Sequence, residues 1–326
     1  MMRTLFKPLC AAALLVCSSL AGPAARAADY PSQPVKLVTA FGAGSASDIV
    51  ARLIAERLQT ALGQPVIVEN RPGASGQVAT DLVARAQPDG YTIMLATNTT
   101  HSSNPHLFKS LRYNPVKDFT PLVQVCNFPF VLAVSAKLPI SSVDDLLRYG
   151  KANPGSLNYA YGNSTGQISA ASFDKMTGLG ATAVPYKSTP QAMTDIIGGR
   201  ATFMFVDLAS AAAHIQAGTL KALAVSTEKR SALAPNLPSV SEAIAQPGFD
   251  LAAWVGIFGP AKLPAPIAQR LSDELYKIVS AEDFKQKLTQ MGAEPTPARA
   301  AAFGPFVVQQ EKVWGDKVKQ AGIQAE

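Results

Sequence analysis

A short run of small residues between a predicted strand and a predicted helix offers a place for a negatively charged group. The run is Phe41–Asp48, with the sequence Phe-Gly-Ala-Gly-Ser-Ala-Ser-Asp. Glycine lets a ligand approach the main chain closely. The free N–H groups at the start of the following helix point into such a loop and favour an anion. The pattern therefore predicts an anion-binding loop.

A second segment, Gly162–Gly166, matches Gly-x-Ser-x-Gly and has two interpretations. As a nucleophile elbow it would make Ser164 the nucleophile of a hydrolase, and His214 is the only histidine that follows it. His214 falls inside a predicted helix, where a solvated histidine is the more ordinary role, and Asp195 or Asp207 would have to supply the acid. As a binding loop, the same hydroxyls and helix start would hold an anion. The binding interpretation is favoured, and the hydrolase remains the alternative.

Other chemistry finds little support. Gly42-Ala43-Gly44 resembles half of a dinucleotide fingerprint, but Ser47 stands at the third glycine position and no acid follows at 65–68. The sequence has no Walker motif, no His-Glu-x-x-His and no cysteine pair, so no metal or cofactor is expected.

Three further side chains have both a structural and a functional interpretation. Asp48 lies at a helix start with capping spacing from Ser45, which favours a structural role in stiffening the loop. Lys187 follows a predicted strand and is either solvated or turned toward a cleft. Trp254 is expected to pack in the core or at a hinge.

These segments are positioned by two series of alternating strands and helices, which predict mostly parallel sheets flanked by helices. Extended stretches at Val125–Val134, with Pro129 as a break, and at Phe249–Phe258 are expected to cross between two lobes. Ligands of such sheets lie beyond the carboxyl ends of the strands. The loops Phe41–Asp48, Tyr161–Gln167 and a polar loop at Thr97–Asn104 are therefore expected to share one cleft.

The amino terminus predicts export. Arg3 and Lys7 precede the apolar run Leu9–Leu20, which is too short to span a bilayer, and Ala25-Arg26-Ala27 fits a cleavage site. Residues 1–27 are therefore predicted to be a signal peptide, and the protein to be periplasmic. Without them the chain loses three basic residues and no acidic ones, so its net charge falls from +6 to +3. So mild a charge argues against nucleic acid as a partner.

Cysteine usage is also changed by export. Cys10 and Cys17 leave with the signal peptide, so the remaining Cys126 has no intrachain partner. A buried, inert thiol is favoured over a reactive one or an interchain disulfide.

Several motifs, in order along the chain, resemble the extracytoplasmic solute receptors of tripartite tricarboxylate transporters, also called Bug receptors. The resemblance covers nearly all of the mature chain. Its departures are Ala43-Gly44-Ser45 where the family usually has Pro-Gly-Gly, and Tyr186-Lys187-Ser188 where it has Tyr-Lys-Gly. The motifs that carry it are Pro34–Val38, Phe41–Arg52, Val68–Gly76, Ala86–Thr92, Asp118–Pro121, Val184–Lys187, Gly218–Ala224 and Trp254–Gly256.

The resemblance implies a two-lobed, flytrap-like binding protein of the α/β class, with lobe 1 formed by residues 28–127 plus 250–326 and lobe 2 by residues 128–249. It implies a carboxylated organic ligand, delivered to membrane subunits of the transporter. Ligand contacts carried over by position are Phe41, Gly44, Ser45, Ser47, Asp48, Thr100 and Asn104 in lobe 1, and Asn163, Ser164, Thr165, Gly166, Gln167 and Asp207 in lobe 2.

The sequence thus predicts a monomeric, non-catalytic periplasmic receptor without a cofactor. The exported Ser hydrolase that would use Ser164 is the alternative. Which acid is bound, whether the receptor also reports to a sensor kinase, and whether Lys187 contacts the ligand stay open at this point.

Overall fold

The computed structural model describes residues 30–325, so the expected signal peptide at residues 1–27 lies outside the described residues. Within that range the strands are β1 (Val35–Thr39), β2 (Val66–Asn70), β3 (Thr92–Thr97), β4 (Phe119–Ser135), β5 (Asn158–Tyr161), β6 (Thr182–Pro185), β7 (Phe203–Asp207), β8 (Leu220–Val225), β9 (Ala252–Pro260) and β10 (Glu294–Arg299).

Helices connect the strands of each series, and three of them form the end of the chain. They are α1 (Ala46–Leu62), α2 (Gln77–Ala84), α3 (Asn104–Leu107), α4 (Val143–Ala152), α5 (Ser164–Thr177), α6 (Thr189–Gly198), α7 (Leu208–Gln216), α8 (Val240–Ala243), α9 (Ala265–Ser280), α10 (Glu282–Gln290) and α11 (Ala300–Ala321). A 3₁₀ turn at Ala74–Gly76 precedes α2, and a π-helical turn at Thr99–Ser103 precedes α3.

All the strands named above belong to one curled sheet with the order β2-β1-β3-β9-β4-β7-β5-β6, to which β8 and β10 add by pairing with β4. β1 is parallel to β2 and β3, and β5 is parallel to β6 and β7. The two parallel sets define a first half and a second half of the sheet. The predicted α/β class is confirmed, with antiparallel strands where the halves meet.

Strand β4 joins the two halves. Its residues Phe119–Pro129 pair with β9, whereas Phe130–Ser135 pair with β7 and β8. The predicted break at Pro129 was therefore wrong as a strand end, since the strand continues through it. Proline has no N–H to donate to a ladder, which suits the position where β4 leaves one neighbour and takes up another.

Alternation along β4 also divides the core. Leu132 and Val134 belong to a large apolar cluster that continues across both halves, and Val131 and Ala133 face a smaller cluster on the other side of the second half. Successive side chains of a strand point to opposite faces, so β4 is covered on both. Cys126 is fully buried in this strand, where burial raises the pKa of its thiol. The predicted inert thiol is confirmed as a buried one.

Three local predictions need correction. The segment Thr97–Asn104, expected to be a polar loop, instead comprises the end of β3, the π-helical turn and the first residue of α3. The helix that follows the Gly-x-Ser-x-Gly segment is predicted from about Gln167, whereas α5 begins three residues earlier, at Ser164. Strand β10 was not predicted, and it contains Pro295 and Pro297, which are unusual in a strand interior.

None of the described helices combines the length and the apolar character that crossing a membrane requires.

Candidate functional site

The first predicted loop is a tight turn closed by its own helix. Gly44 has a φ of +79°, a left-handed conformation that suits glycine. Ser45 caps α1, since its Oγ accepts a hydrogen bond of 3.3 Å from the main-chain N–H of Asp48. Asp48 returns the contact, because its Oδ2 accepts a hydrogen bond of 3.0 Å from the N–H of Gly44. The spacing of Ser45 and Asp48 predicts a capping box, in which Asp48 would accept from the N–H of Ser45 itself. In the structure Asp48 accepts instead from the N–H of Gly44, one residue earlier.

Asp48 is a buried anchor for this turn. Arg52 Nε donates to its Oδ2 at 3.1 Å and Asn70 Nδ2 donates to its Oδ1 at 2.9 Å. The same Asn70 amide donates to the carbonyl of Phe41 at 3.0 Å. Burial favours the neutral acid, but the hydrogen bonds from Arg52, Gly44 and Asn70 outweigh it and hold the pKa of Asp48 below its ordinary value. Both oxygens of Asp48 are therefore engaged in stiffening the turn.

The second loop is held by an amide and by close packing. Asn163 caps α5, with its Oδ1 accepting from the N–H of Gly166 at 2.8 Å and its Nδ2 donating to Thr189 Oγ1 at 3.0 Å. A Cβ on Gly162 would lie 2.2 Å from the main-chain carbon of Ser188. A Cβ on Gly166 would lie 2.9 Å from the carbonyl oxygen of Phe205. Contact with neighbouring main chain explains both glycines of Gly-x-Ser-x-Gly without a nucleophile between them.

The hydrolase alternative finds no support in the geometry. Ser164 is fully buried in the first turn of α5, and its Oγ has no hydrogen-bond partner within residues 30–325. His214 Nδ1 lies 3.2 Å from Thr219 Oγ1, so its described partner is not Ser164. Asp207 caps α7 by accepting from the N–H of Ser210 at 2.7 Å. His214 and Asp207 are thus bonded elsewhere, and Ser164 Oγ has neither of them as a partner.

The two loops meet across the halves of the sheet. The N–H of Ala46, in the first turn of α1, donates to Ser210 Oγ at 3.2 Å in α7. Asn98, directly after β3, donates through Nδ2 to Thr165 Oγ1 at 2.8 Å in α5. The helix starts of α1, α5 and α7 therefore converge on one place.

At that place lies a small enclosure, the inner cavity, with a volume of about 20 Å³. Main-chain N–H groups at helix starts and the hydroxyls of serine and threonine surround it, which is an environment for one small anionic group. Asp207 is its charged residue, and burial raises the pKa of that carboxyl, so the negative form is disfavoured there. Six predicted site residues line the inner cavity, namely Phe41, Ser45, Ser47, Asn163, Thr165 and Asp207.

A larger outer cavity of about 340 Å³ adjoins it and shares Phe41 and Asn163 with it. Its walls come from both halves of the sheet and from the carboxyl end of the chain, where Ile323 and Gln324 follow α11. Gln167, a predicted site residue, and Lys187, which the sequence left open, both line it.

The remaining predicted residues lie outside the lining of both cavities. Gly44 and Asp48 shape the first turn, and Ser164 and Gly166 lie within the first turn of α5. Thr100 Oγ1 donates to the carbonyl of Thr97 at 3.2 Å. Asn104 Nδ2 donates to the carbonyl of Ser75 at 3.0 Å and to the hydroxyl of Tyr113 at 3.1 Å. The side chains of Thr100 and Asn104 therefore stabilise the segment beside the cavities and do not line them.

Further residues line the inner cavity that were not among the predicted ligand contacts, although three of them lie in the segment expected at the cleft. Thr97, Asn98 and Thr99 line the inner cavity, as does Thr189 at the start of α6. The Oδ1 of Asn98 is buried without a described partner, so it is an acceptor available to a ligand or to water. If this polar segment had been predicted to be helical, Asn98 would have been a candidate ligand contact, because it lies immediately before the first residue of the turn.

Histidine contributes no positive charge to this region. His101 is fully buried, stacked on Phe258 with ring centroids 4.2 Å apart. Burial lowers its pKa to about 3. An anion in the inner cavity would therefore be held by dipoles and hydroxyls, not by an imidazolium.

Comparisons with known proteins agree with this architecture. The model of the tripartite tricarboxylate transporter family receptor matches residues 50–323. A UPF0065 protein of Bordetella bronchiseptica is 37% identical over 276 residues, which covers 85% of this chain and 82% of the relative.

Two solved structures are similar over most of the chain. The R. palustris protein Rpa4515, solved with adipate, has a TM-score of 0.88 and 33% identity, covering 91% of this chain and all of that one. The periplasmic binding protein BugD has a TM-score of 0.86 and 32% identity, with the same coverage.

Proposed function

Because the chain belongs to the tripartite tricarboxylate transporter receptor family, we propose that it captures a small carboxylated organic acid and delivers it to membrane subunits of such a transporter. Binding leaves the acid chemically unchanged. The observation that carries this proposal is the inner cavity, where three helix starts and several hydroxyls converge and no cation is among the described lining residues. Binding of adipate by the similar R. palustris protein supports a carboxylate as the ligand class.

In the proposal, lobe 1 comprises residues 28–127 plus 250–326 and lobe 2 comprises residues 128–249. The change of partners in β4 at Pro129 and Phe130 supports a boundary near these residues. The signal peptide, cleaved after about Ala27, directs the protein to the periplasm. A role in signalling to a sensor kinase is a variant of the same binding function.

The carboxylate enters the inner cavity and contacts the loops of both lobes. Phe41, Ser45 and Ser47 act from lobe 1, and Asn163 and Thr165 act from lobe 2, with Gln167 facing the outer cavity. Asp207 borders the same place from lobe 2 and opposes the anion when its carboxyl is ionised. Each hydrogen bond to a charged group contributes about 1.5–3 kcal/mol, and micromolar affinity requires about 8 kcal/mol, so a few such bonds suffice.

Ligand-driven closure follows from contacts to both lobes. A ligand shifts a conformational equilibrium only through its differential affinity for the two states. The bonds from Ala46 to Ser210 and from Asn98 to Thr165 join the two halves of the sheet, and in the proposal they form when the lobes close. The transporter would then recognise the closed shape.

The test is a thermal-shift and calorimetric screen of purified residues 28–326. The panel contains aliphatic monoacids, diacids and triacids, aromatic acids and amino acids, with the neutral amides as controls. We expect at least one carboxylate, and none of the amides, to raise the Tm. Failure of every organic anion to do so would contradict the receptor function.

A matched pair of variants ties binding to the inner cavity. Thr165→Val removes the hydroxyl that accepts from Asn98 and should weaken binding of the best acid by about tenfold, the equivalent of one hydrogen bond. Thr194→Val is the control, because Thr194 is exposed and bonds only to the carbonyl of Pro190 among described groups. Equal effects of the two variants would mean that the ligand binds elsewhere.

A further inference from the structure

A third cavity lies where the end of α11 meets the second half of the sheet, and we call it the rear groove. Its volume is about 540 Å³. One wall is formed by α5 and residues 246–251, and the other by Lys317 and Gln320 of α11. None of its described lining residues also lines the inner or the outer cavity. The rear groove is therefore separate from the ligand site.

The middle of α11 is fixed to the first half of the sheet. His106, in α3, lies with its Nε2 3.0 Å from the carbonyl oxygen of Glu311. A Cβ on Gly315 would lie only 2.6 Å from the ring of the same histidine. This part of the helix therefore packs closely against α3, which precedes β4 in the chain.

The end of α11 is instead held by the second half. Lys175 lies in the last turn of α5, and its Nζ donates a hydrogen bond of 2.8 Å to the carbonyl of Gln320. A carbonyl in the last turn of a helix lacks a partner within the helix and lies at the negative end of the dipole, so a lysine there is stabilising. Because Lys175 is exposed and its partner is an uncharged oxygen, water can replace this bond at little cost.

A second lysine joins α11 to the segment that leads into β9. Lys317 Nζ donates a hydrogen bond to the carbonyl of Asp250. That segment is tied to the second half, since the N–H of Leu251 donates to the carbonyl of Ser226 at 2.9 Å. The helix thus bridges the two halves, and its far end is attached across the rear groove by lysine–carbonyl bonds.

The position of this helix end also sets one wall of the outer cavity. Ile323 and Gln324, which line that cavity, directly follow the cap of α11 at Gly322. The N–H of Ile323 donates to the carbonyl of Val318 at 3.3 Å, so Ile323 is carried by the last turn of the helix. A contact that fixes the end of α11 therefore also fixes the wall that Ile323 provides.

We infer that Lys175 is a positioning residue that latches the end of α11 to lobe 2 when the lobes close. A bond made in only one of two states shifts the equilibrium toward that state. The latch therefore favours the closed state and brings Ile323 to the outer cavity, although Lys175 itself does not contact the ligand. This inference rests on the proposed function and adds a residue that controls closure from outside the ligand site.

The test is Lys175→Met, which keeps an unbranched side chain and removes the ammonium group. The probe is whichever of succinate, adipate, citrate and benzoate raises the Tm of the mature chain most. Calorimetry gives its Kd, and stopped-flow fluorescence gives its rates of association and release. We expect the Kd and the release rate each to rise about threefold, the equivalent of one lysine at a helix end, with the association rate unchanged. Lys175→Arg should behave like the unmodified protein, because it keeps the charge and the donors.

Lys221→Met is the matched control. Lys221 Nζ donates to the carbonyl of Leu138 at 2.7 Å, so it makes the same kind of bond, but within the second half alone. This variant should leave the Kd and the release rate unchanged. An unaltered Kd in Lys175→Met, or an equal rise in Lys221→Met, would overturn the inference and leave the receptor function standing. Absence of binding by every acid of the panel would overturn both.

Discussion

The two ligand loops are held rigid by different interactions. The loop Phe41–Asp48 is stiffened by charge, with Asp48 joined to Arg52, Asn70 and the N–H of Gly44. The loop Gly162–Gln167 is stiffened by an uncharged amide cap and by glycines pressed against neighbouring main chain. One loop should therefore respond to pH and the other to volume.

The largest effect is expected from adding volume to the second loop. Gly162→Ala would place a methyl group 2.2 Å from the main-chain carbon of Ser188 and 2.2 Å from the N–H nitrogen of Thr189. Because main chain cannot move aside as a flexible side chain can, we expect a loss of about 3 kcal/mol in the free energy of unfolding. Urea denaturation measures it.

Gly198→Ala is the matched control, because its new methyl group, at the end of α6, would meet only the guanidinium of Arg200 at an ordinary 3.5 Å. Alanine is favoured over glycine in a helix, so this variant should be neutral or slightly more stable. Equal losses in the two variants would mean that close packing does not hold the second loop.

The first loop should reveal its charge through pH. The pKa of Asp48 is lowered in the folded protein, so its contribution to stability is present above the ordinary value of 3.8 and is lost as the pH falls through the folded value. Asp48→Asn should cost about 1–2 kcal/mol at neutral pH, allowing for the solvent screening of Arg52, and should flatten the fall in Tm as the pH drops below 3.8.

Asn163→Ala in the second loop provides the contrast. It removes an uncharged cap, worth about 1 kcal/mol, and should lower the Tm equally at every pH. If its loss varied with pH as strongly as that of Asp48→Asn, the distinction between the loops would be wrong.

Substitution of Asp207, which lies where the two loops meet, should have an effect of intermediate size, and this effect should be on ligand affinity. Its folded pKa is raised by burial, so the stability associated with its neutral form is present at low pH and is lost as the pH rises from 3.8 through the folded value. Asp207→Asn keeps a good helix cap and removes a negative charge from an anion site. We expect carboxylate affinity at neutral pH to rise by about tenfold, or about 1.4 kcal/mol.

The pH dependence of binding tests whether ionised Asp207 weakens the affinity for the ligand. In the unmodified protein, affinity for an acid that stays ionised should increase as the pH is lowered, because protonation of Asp207 removes the repulsion. In Asp207→Asn this increase should disappear. A variant that bound more weakly than the unmodified protein would indicate that the ligand donates a hydrogen bond to Asp207.

The smallest effect is expected at Ser164. Its Oγ is buried without a described partner and its side chain does not line the cavities, so Ser164→Ala should change affinity by less than about threefold. Calorimetry measures this change, and an ester-cleavage assay on both proteins runs beside it. Ester cleavage that the substitution abolished would restore the hydrolase.

Local signals account for what the sequence predicted well. The strand that ends before Phe41, the cap at Ser45 and the helix that follows are specified within a few residues of one another. The same is true of Asn163, although the helix after it starts earlier than expected. Each depends on neighbours in the chain, which is the information that periodicity and capping patterns hold.

Non-local signals account for what was missed. The turn Thr99–Ser103 consists of hydroxyl residues around His101 and has no apolar periodicity. His101 is buried against Phe119 and Phe258 from distant strands. Ile323 reaches the outer cavity from the far end of the chain. No pattern near Thr100 or Ile323 reports such packing, so these placements needed the three-dimensional structure.

The position of β9 sets the order in which the molecule can be completed. This strand lies between β3 and β4 in the sheet, yet it follows them by more than a hundred residues in sequence. During synthesis, β3 and β4 must therefore wait with exposed edges until the last quarter of the chain has emerged. Contacts between segments so distant in sequence form slowly. A polypeptide built this way stays incompletely folded until β9 has been made.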